Sequence, residues 1–147
     1  MYQRILIATD GMELSQKAVN SGLELARLTG AEVVALKVVP RYPVSYFEGG
    51  VAIDAIDIAT TEKHWADAAQ TVVNAVKEKA EARGIKIQAV TEFSDIVGES
   101  IIETAKKHHC DLIVMASHGR GGIRRVLMGS ETQYVLTHSH LPVLVLR

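Results

Sequence analysis

The sequence predicts an α/β fold: a single doubly wound domain spanning residues 1–147, with a five-stranded parallel sheet in flavodoxin/Rossmann-like order 3-2-1-4-5 and helices on both faces. Three observations carry that prediction. Short apolar runs alternate with stretches whose apolar residues recur at helical spacing, from one end of the chain to the other. Most of the short runs are continuously apolar, as expected of strands covered on both faces. Each strand but the last precedes a helix, and a strand–helix–strand order implies right-handed crossovers and parallel strands. A length of 147 residues suits one domain with a sizeable core and is short for two.

Taken in order, residues 4–9 form the first apolar run, closed by Asp10-Gly11. Leu14, Ala18, Gly22, Leu25 and Ala26 then recur at helical spacing, and Gly30 supplies the stop. Residues 33–39 read as a second buried strand, closed by Pro40. Trp65, Ala69, Val72, Val76 and Ala80 mark one face of a long helix whose opposite face carries Lys77, Glu78, Glu81 and Arg83, with Gly84 ending it. Residues 85–90 alternate apolar and polar, the pattern of a half-covered strand near a sheet edge. Val97, Ile101, Ile102 and Ala105 give a third helix, residues 112–116 a fourth strand, residues 130–137 a short last helix, and residues 143–146 a final strand introduced by Pro142. The segment from Arg41 to about Thr60 has no clear period and reads as an excursion within the domain. Its Tyr42, Tyr46, Phe47 and Gly49-Gly50 suit either a lid or partner surface, or a loop whose aromatics cover a core edge.

Composition narrows the function classes. Sixteen Lys plus Arg stand against seventeen Asp plus Glu, so the net charge of -1 provides no general field for a nucleic-acid backbone. Cys110 is the only cysteine, which excludes an internal disulfide framework and fits a reducing compartment. There is no apolar run long enough for a signal-peptide core or a membrane span, so the expected location is cytoplasmic, without direct membrane insertion.

Open parallel sheets bind ligands beyond the carboxyl ends of their strands, where the strand order reverses. Here that point falls between the first and fourth strands, whose ends carry Thr9-Asp10-Gly11 and Met115-Ala116-Ser117-His118-Gly119. In the second stretch, glycines permit close backbone approach to a phosphate. A helix opening at Ser130 adds amide groups and the positive pole of the helix dipole. Arg120, Arg124 and Arg125 add local positive charge. A plain turn with a serine helix cap and solvated arginines explains the same residues about as well. Asp10 suits hydrogen bonding to a ribose or base, or a turn, because Asp-Gly is a common turn pair. Val38 and Val39 suit an apolar wall for a purine, or ordinary core.

Several chemistries lack their signature. No G-x-x-x-x-G-K-[ST] is present, and no G-x-G-x-x-G follows the first strand. His108, His109 and Cys110, and separately His138 and His140, show no recognised metal-ligand spacing, so no metal site is assigned to protein side chains. Ser117, Ser130, His118 and Asp10 lack a G-x-S-x-G elbow, so no catalytic residues are assigned. Cys110 reads as a small core residue.

The run Ala116-Ser117-His118-Gly119, nine residues, then Gly129-Ser130 resembles the G-x-x-G-(nine residues)-G-[ST] motif of the ATP-binding branch of the universal stress proteins. The opening Ile5-Leu6-Ile7-Ala8-Thr9-Asp10, the strand end Lys37-Val38-Val39 and the closing Leu141-Pro142-Val143-Leu144-Val145 resemble that family's first, second and last strands. The resemblance covers the whole chain. It implies ATP as ligand, with Mg²⁺ held mainly by phosphate oxygens and water. By the resemblance, Asp10 and Val38 contact the adenosine part, with Ala8 and Thr9 beside them. Met115, Ala116, Ser117, His118, Gly119, Arg120, Gly121, Gly129, Ser130, Glu131 and Thr132 surround the ribose and phosphates. One departure stands out: the first glycine of the motif is Ala116, which suits binding if φ there is negative and weakens it if φ is positive.

The resemblance also implies a homodimer through residues 143–146, with a tetramer as a further possibility, and a non-enzymatic regulatory role in stress survival or toward a protein client such as a membrane transporter. Slow ATP hydrolysis or adenylyl chemistry, a flavin-binding electron carrier, and a nucleotide-independent interaction module are the competing readings.

Overall fold

In the computed structural model, residues 1–42, 55–118 and 128–147 are described. Nine elements alternate strictly among them: β1 (Arg4–Ala8), α1 (Glu13–Thr29), β2 (Glu32–Val39), α2 (Ala55–Glu81), β3 (Ile87–Phe93), α3 (Val97–Lys107), β4 (Leu112–Ala116), α4 (Ser130–His138) and β5 (Val143–Leu146). The five strands are parallel and lie in the order β3-β2-β1-β4-β5, as the sequence predicts.

The central position of β1 follows from its side chains. Ile5, Leu6 and Ile7 are each 0% exposed, so both faces of the strand must be covered. Burying each such side chain fully is worth about 1.5–3 kcal/mol. Ile5 and Ile7 join Val33, Ala35 and Val114 in a core layer closed by Ala18, Val19 and Leu23 of α1 and Val73, Val76 and Ala80 of α2. Leu6 joins Val34, Leu36, Val38, Ile113 and Met115 in the opposite layer, closed by Ile101, Ile102 and Ala105 of α3 and Val135 of α4. The alternation along each strand thus feeds two cores, one per sheet face.

Glycine permits close approach in two places that matter for the site. A Cβ at Gly22 would lie 2.6 Å from Ile7 Cδ1, so α1 lies directly on β1. A Cβ at Gly98 would lie 2.7 Å from Tyr134 Cδ1, so α3 and α4 approach equally closely.

Two boundaries differ from the sequence reading. Helix α2 begins at Ala55, inside the stretch read as an excursion up to Thr60. Residues 55–60 are mostly exposed, so no buried face writes a period into them. Its buried face is Ala69, Val73, Val76 and Ala80, with Val72 turned toward the α1 entry. Strand β3 runs from Ile87 to Phe93 instead of residues 85–90, because Thr91, Glu92 and Phe93 pair in register with Lys37, Val38 and Val39. Ile85 belongs to the turn after α2, where its N–H donates to the Ala80 carbonyl at 3.0 Å. Helix α4 opens at Ser130 as the sequence reading has it, and its N-cap is Gly129, without the serine side-chain cap of the competing plain-turn reading.

Tyr42 stacks on Trp65 of α2, ring centroids 6.0 Å apart at 19°. This favours the covering role over the lid for that aromatic. Tyr46, Phe47, Gly49 and Gly50 lie outside the described residues.

Candidate functional site

The first strand hands its end to a hydroxyl-buttressed turn. The Thr9 N–H donates to the Leu36 carbonyl at 2.9 Å, which holds the β1 exit against β2 one residue beyond the strand. Thr9 Oγ1 accepts from the Gly11 N–H at 3.2 Å and shares a hydrogen bond with Ser15 Oγ at 3.1 Å. Ser15 Oγ in turn donates to the Met12 carbonyl at 2.8 Å. Asp10 Oδ1 accepts from the Met12 N–H at 2.8 Å, and Gly11 has φ +81°. The Asp-Gly pair therefore does form a turn. A carboxylate has acceptor capacity beyond one such bond, so the turn and a ligand role for Asp10 are compatible.

The fourth strand hands its end to α4. The Ser117 N–H donates to the Leu146 carbonyl at 2.7 Å, continuing the β4–β5 ladder. The Gly129 N–H donates to the Ser117 carbonyl at 2.8 Å. Thr132 Oγ1, 2% exposed, donates to the Ala116 carbonyl at 2.9 Å. Together these bonds moor the start of α4 beside the end of β4. The first turn of α4, without a side-chain cap, points its amide groups out of the helix as an anion-binding pole.

Between the two strand ends lies a cavity of about 230 Å³, at the place where the strand order reverses. Of the predicted residues it is lined by Ala8, Thr9, Asp10, Val38, Met115, Ala116, His118, Glu131 and Thr132. Ser117, Gly129 and Ser130 adjoin the cavity without lining it, and the Ser117 hydroxyl pairs with His118 Nδ1 at 3.0 Å. Gly119, Arg120 and Gly121 lie outside the described residues, as do Arg124 and Arg125. The volume of the cavity among the described residues is below the range of about 300–1,000 Å³ usual for small-molecule sites.

Sequence reasoning missed Ser15, Leu36, Lys37, Pro40, Val97 and Ile101, which also line the cavity. Leu36 was findable, since it shares a sheet face with Val38 two residues on. Val97 and Ile101 are one turn apart on α3 and reach the cavity only because the helix packs over β2. Lys37 Nζ lies 3.4 Å from the Val38 carbonyl, beside the wall predicted for a purine.

Ala116 answers its own question. Among the described residues His109, at φ 57°, is the only non-glycine with positive φ. Ala116 is an ordinary strand residue, 8% exposed, so its methyl group adds no backbone strain.

No group of three or more His, Cys, Asp or Glu among the described residues is arranged to hold a metal ion. His138 stacks on Tyr134 at 4.0 Å and 11°. Cys110 is 6% exposed at the α3–β4 junction, and burial pushes its thiol up to about 11. No helix among the described residues is long and apolar enough to cross a membrane.

The universal stress protein family model matches residues 1–147. This chain belongs to the universal stress protein family. Universal stress protein MJ0531 of Methanocaldococcus jannaschii is 34% identical over 148 residues, which cover 100% of this chain and 83% of that protein. The solved structure of universal stress protein UspA from Lactobacillus plantarum is 25% identical, with a TM-score of 0.83 over 99% of this chain and 98% of that one. A universal stress protein solved in complex with cAMP shares the fold at 22% identity, with a TM-score of 0.72 over 99% of this chain and 97% of that one.

Proposed function

We propose that this universal stress protein is a non-enzymatic regulatory module that binds ATP at the carboxyl edge of its sheet. The observation that carries the reading is the cavity at the β1–β4 switch point, which brings Asp10, Val38, Met115 and Ala116 together beside the uncapped first turn of α4. Adenosine fits the apolar side, against Val38 and Met115, with Asp10 as hydrogen-bond acceptor for ribose or base. The phosphates fall at the amides of Gly129, Ser130, Glu131 and Thr132. These donors suit a triphosphate, and Mg²⁺ on its oxygens would offset the charge they leave. The cAMP complex of a fold relative supports the nucleotide class, an adenine base with a phosphorylated sugar.

In this reading the occupied and empty states present different surfaces to a client protein, such as a transporter, since only differential binding shifts such an equilibrium. The protein acts in the cytoplasm as a homodimer paired through β5, an edge strand whose Leu144 is 38% exposed.

Denaturing freshly purified protein and identifying the released small molecules by chromatography and mass tests the reading. Intact ATP at about one per chain supports it. ADP that accumulates on incubation with ATP shifts the balance to slow hydrolysis, a visible flavin spectrum to an electron carrier, and protein that neither retains nor takes up nucleotide to an interaction module.

A further inference from the structure

Helices α1, α2 and α3 all end at the amino edge of the sheet, opposite the cavity described above, and they close in the same way. The N–H groups of Ala31, Ile85 and Cys110 each donate back to an alanine carbonyl, of Ala26, Ala80 and Ala105, at 3.1, 3.0 and 2.8 Å. Such a closure puts the residue before the donor in the left-handed region, where glycine is the usual choice. After α1 and α2 that residue is Gly30 and Gly84, at φ 77° and 73°, but after α3 it is His109, at φ 57°. A histidine costs more there than a glycine, and residues held in this way cluster at functional sites. His109 is exposed, and it lines a second cavity of about 250 Å³ together with His108, Arg4, Lys86 and Lys107. Glu32 is the one carboxylate among the described residues that lines it.

We propose that this amino-edge cavity is a second ligand site, for a small oxyanion of the phosphate class, and that His109 is one of its donors. Three cations reach it from separate parts of the chain: Arg4 from β1, Lys86 from just before β3 and Lys107 from α3. Glu32 is already engaged by two of them, its Oε2 accepting from Arg4 Nη2 at 2.7 Å and its Oε1 lying 3.2 Å from Lys86 Nζ. Two further carboxylates stand nearby without lining the cavity. Asp111 gives its oxygens to the main-chain N–H groups of Gln3 and Arg4, at 2.8 and 3.1 Å, and Glu92 lies 3.7 Å from Lys107. Arg4 also covers the negative pole of α3, because its Nη1 donates to the His108 carbonyl at 2.7 Å. Guanidinium and ammonium groups carry more N–H groups than these pairings use, and each imidazole adds at least one. An oxyanion that bridges them collects charge-assisted hydrogen bonds. Every lining residue is among the described ones, and residues 43–54 and 119–127 join the chain at the opposite edge, after the carboxyl ends of β2 and β4.

The test is an amide-resolved NMR titration of the full chain with inorganic phosphate, against sodium chloride at matched ionic strength, for the wild type, His109→Gly and Lys86→Gln. The expected wild-type result is saturable shifts at Arg4, Glu32, Lys86 and residues 107–109 that chloride does not produce. Both variants should lose about tenfold in phosphate affinity, the effect of removing one hydrogen bond to a charged group. His109→Gly separates binding from folding: its thermal midpoint should equal or exceed that of the wild type, because glycine is the residue this closure favours. A titration with glycerol phosphate identifies the source of the oxyanion. Affinity equal to that of phosphate supports the phosphoryl end of a small metabolite, and much weaker binding supports the free anion. Phosphate affinity unchanged in His109→Gly overturns the proposal, as do shifts confined to residues 129–132 or shifts that chloride reproduces. None of these outcomes depends on whether the carboxyl-edge cavity binds a nucleotide.

Discussion

Thr132, in the first turn of α4, donates its hydroxyl to the main-chain carbonyl of Ala116 at the end of β4, 2.9 Å away. This bond joins the helix pole to the strand end. Replacing Thr132 by valine keeps the shape and leaves a buried carbonyl without that donor, at a cost of about 1–3 kcal/mol. Chemical denaturation is expected to report that loss, with serine at the same position recovering most of it. ATP affinity should fall further in the valine variant than stability alone requires, since the α4 amides lose their mooring.

At the other strand end, Gly11 combines a left-handed φ of +81° with close packing, a Cβ there lying 2.9 Å from Val72 Cγ2. Gly11→Ala meets both obstacles, and the strain of φ > 0 alone is about 1–2 kcal/mol. A lowered thermal midpoint together with weaker adenosine binding is the expected result, because the turn that carries Asp10 is the part displaced. A neutral Gly11→Ala would remove the argument for a rigid turn.

Ala116→Gly restores the glycine found in the related motif. Since Ala116 is a strand residue without left-handed φ, no strain is relieved, and glycine in a strand destabilises by about 0.5–1 kcal/mol. Titration with ATP should therefore show little gain in affinity for a measurable loss in stability. A large gain would mean that the alanine methyl obstructs the ligand.

Away from the site, Glu32 joins the starts of β1 and β3. It accepts from Arg4 Nη2 at 2.7 Å, and Lys86 Nζ lies 3.2 Å from its other oxygen. The hydrogen bonds from Arg4, and then Lys86, hold its carboxyl below the usual value of 4.5. A depressed carboxyl favours the folded state above its unfolded pKa, and the benefit disappears as pH falls through the lower folded value. Melting of wild type and Glu32→Gln across pH should thus show a wild-type advantage at neutral pH that closes in the acid range below 4.5. Salt should shrink it, because these groups reach solvent.

The strands were legible because burial is written into them: Ile5, Leu6 and Ile7, buried on both sheet faces, read as a continuous apolar run, and the half-covered β3 read as an alternating one. Burial also explains the misses. The first turns of α2 are exposed and carry no stripe, and Thr91 to Phe93 extend β3 through pairing with β2 more than through their own pattern. In the site, Asp10 and Met115-Ala116 were legible from their place at strand ends. Ser15, Val97 and Ile101 were not, since α1 and α3 bring them to the cavity through packing that leaves no local signature.

The most direct test of the account is an amide-resolved NMR titration of the nucleotide-free protein with ATP and Mg²⁺. The predicted result is saturable shifts concentrated at residues 8–10, 36–38, 115–118 and 129–132, the strand ends and helix pole that surround the cavity. Shifts absent from these segments, or centred on the opposite edge of the sheet around Arg4, Lys86 and His108, would contradict it.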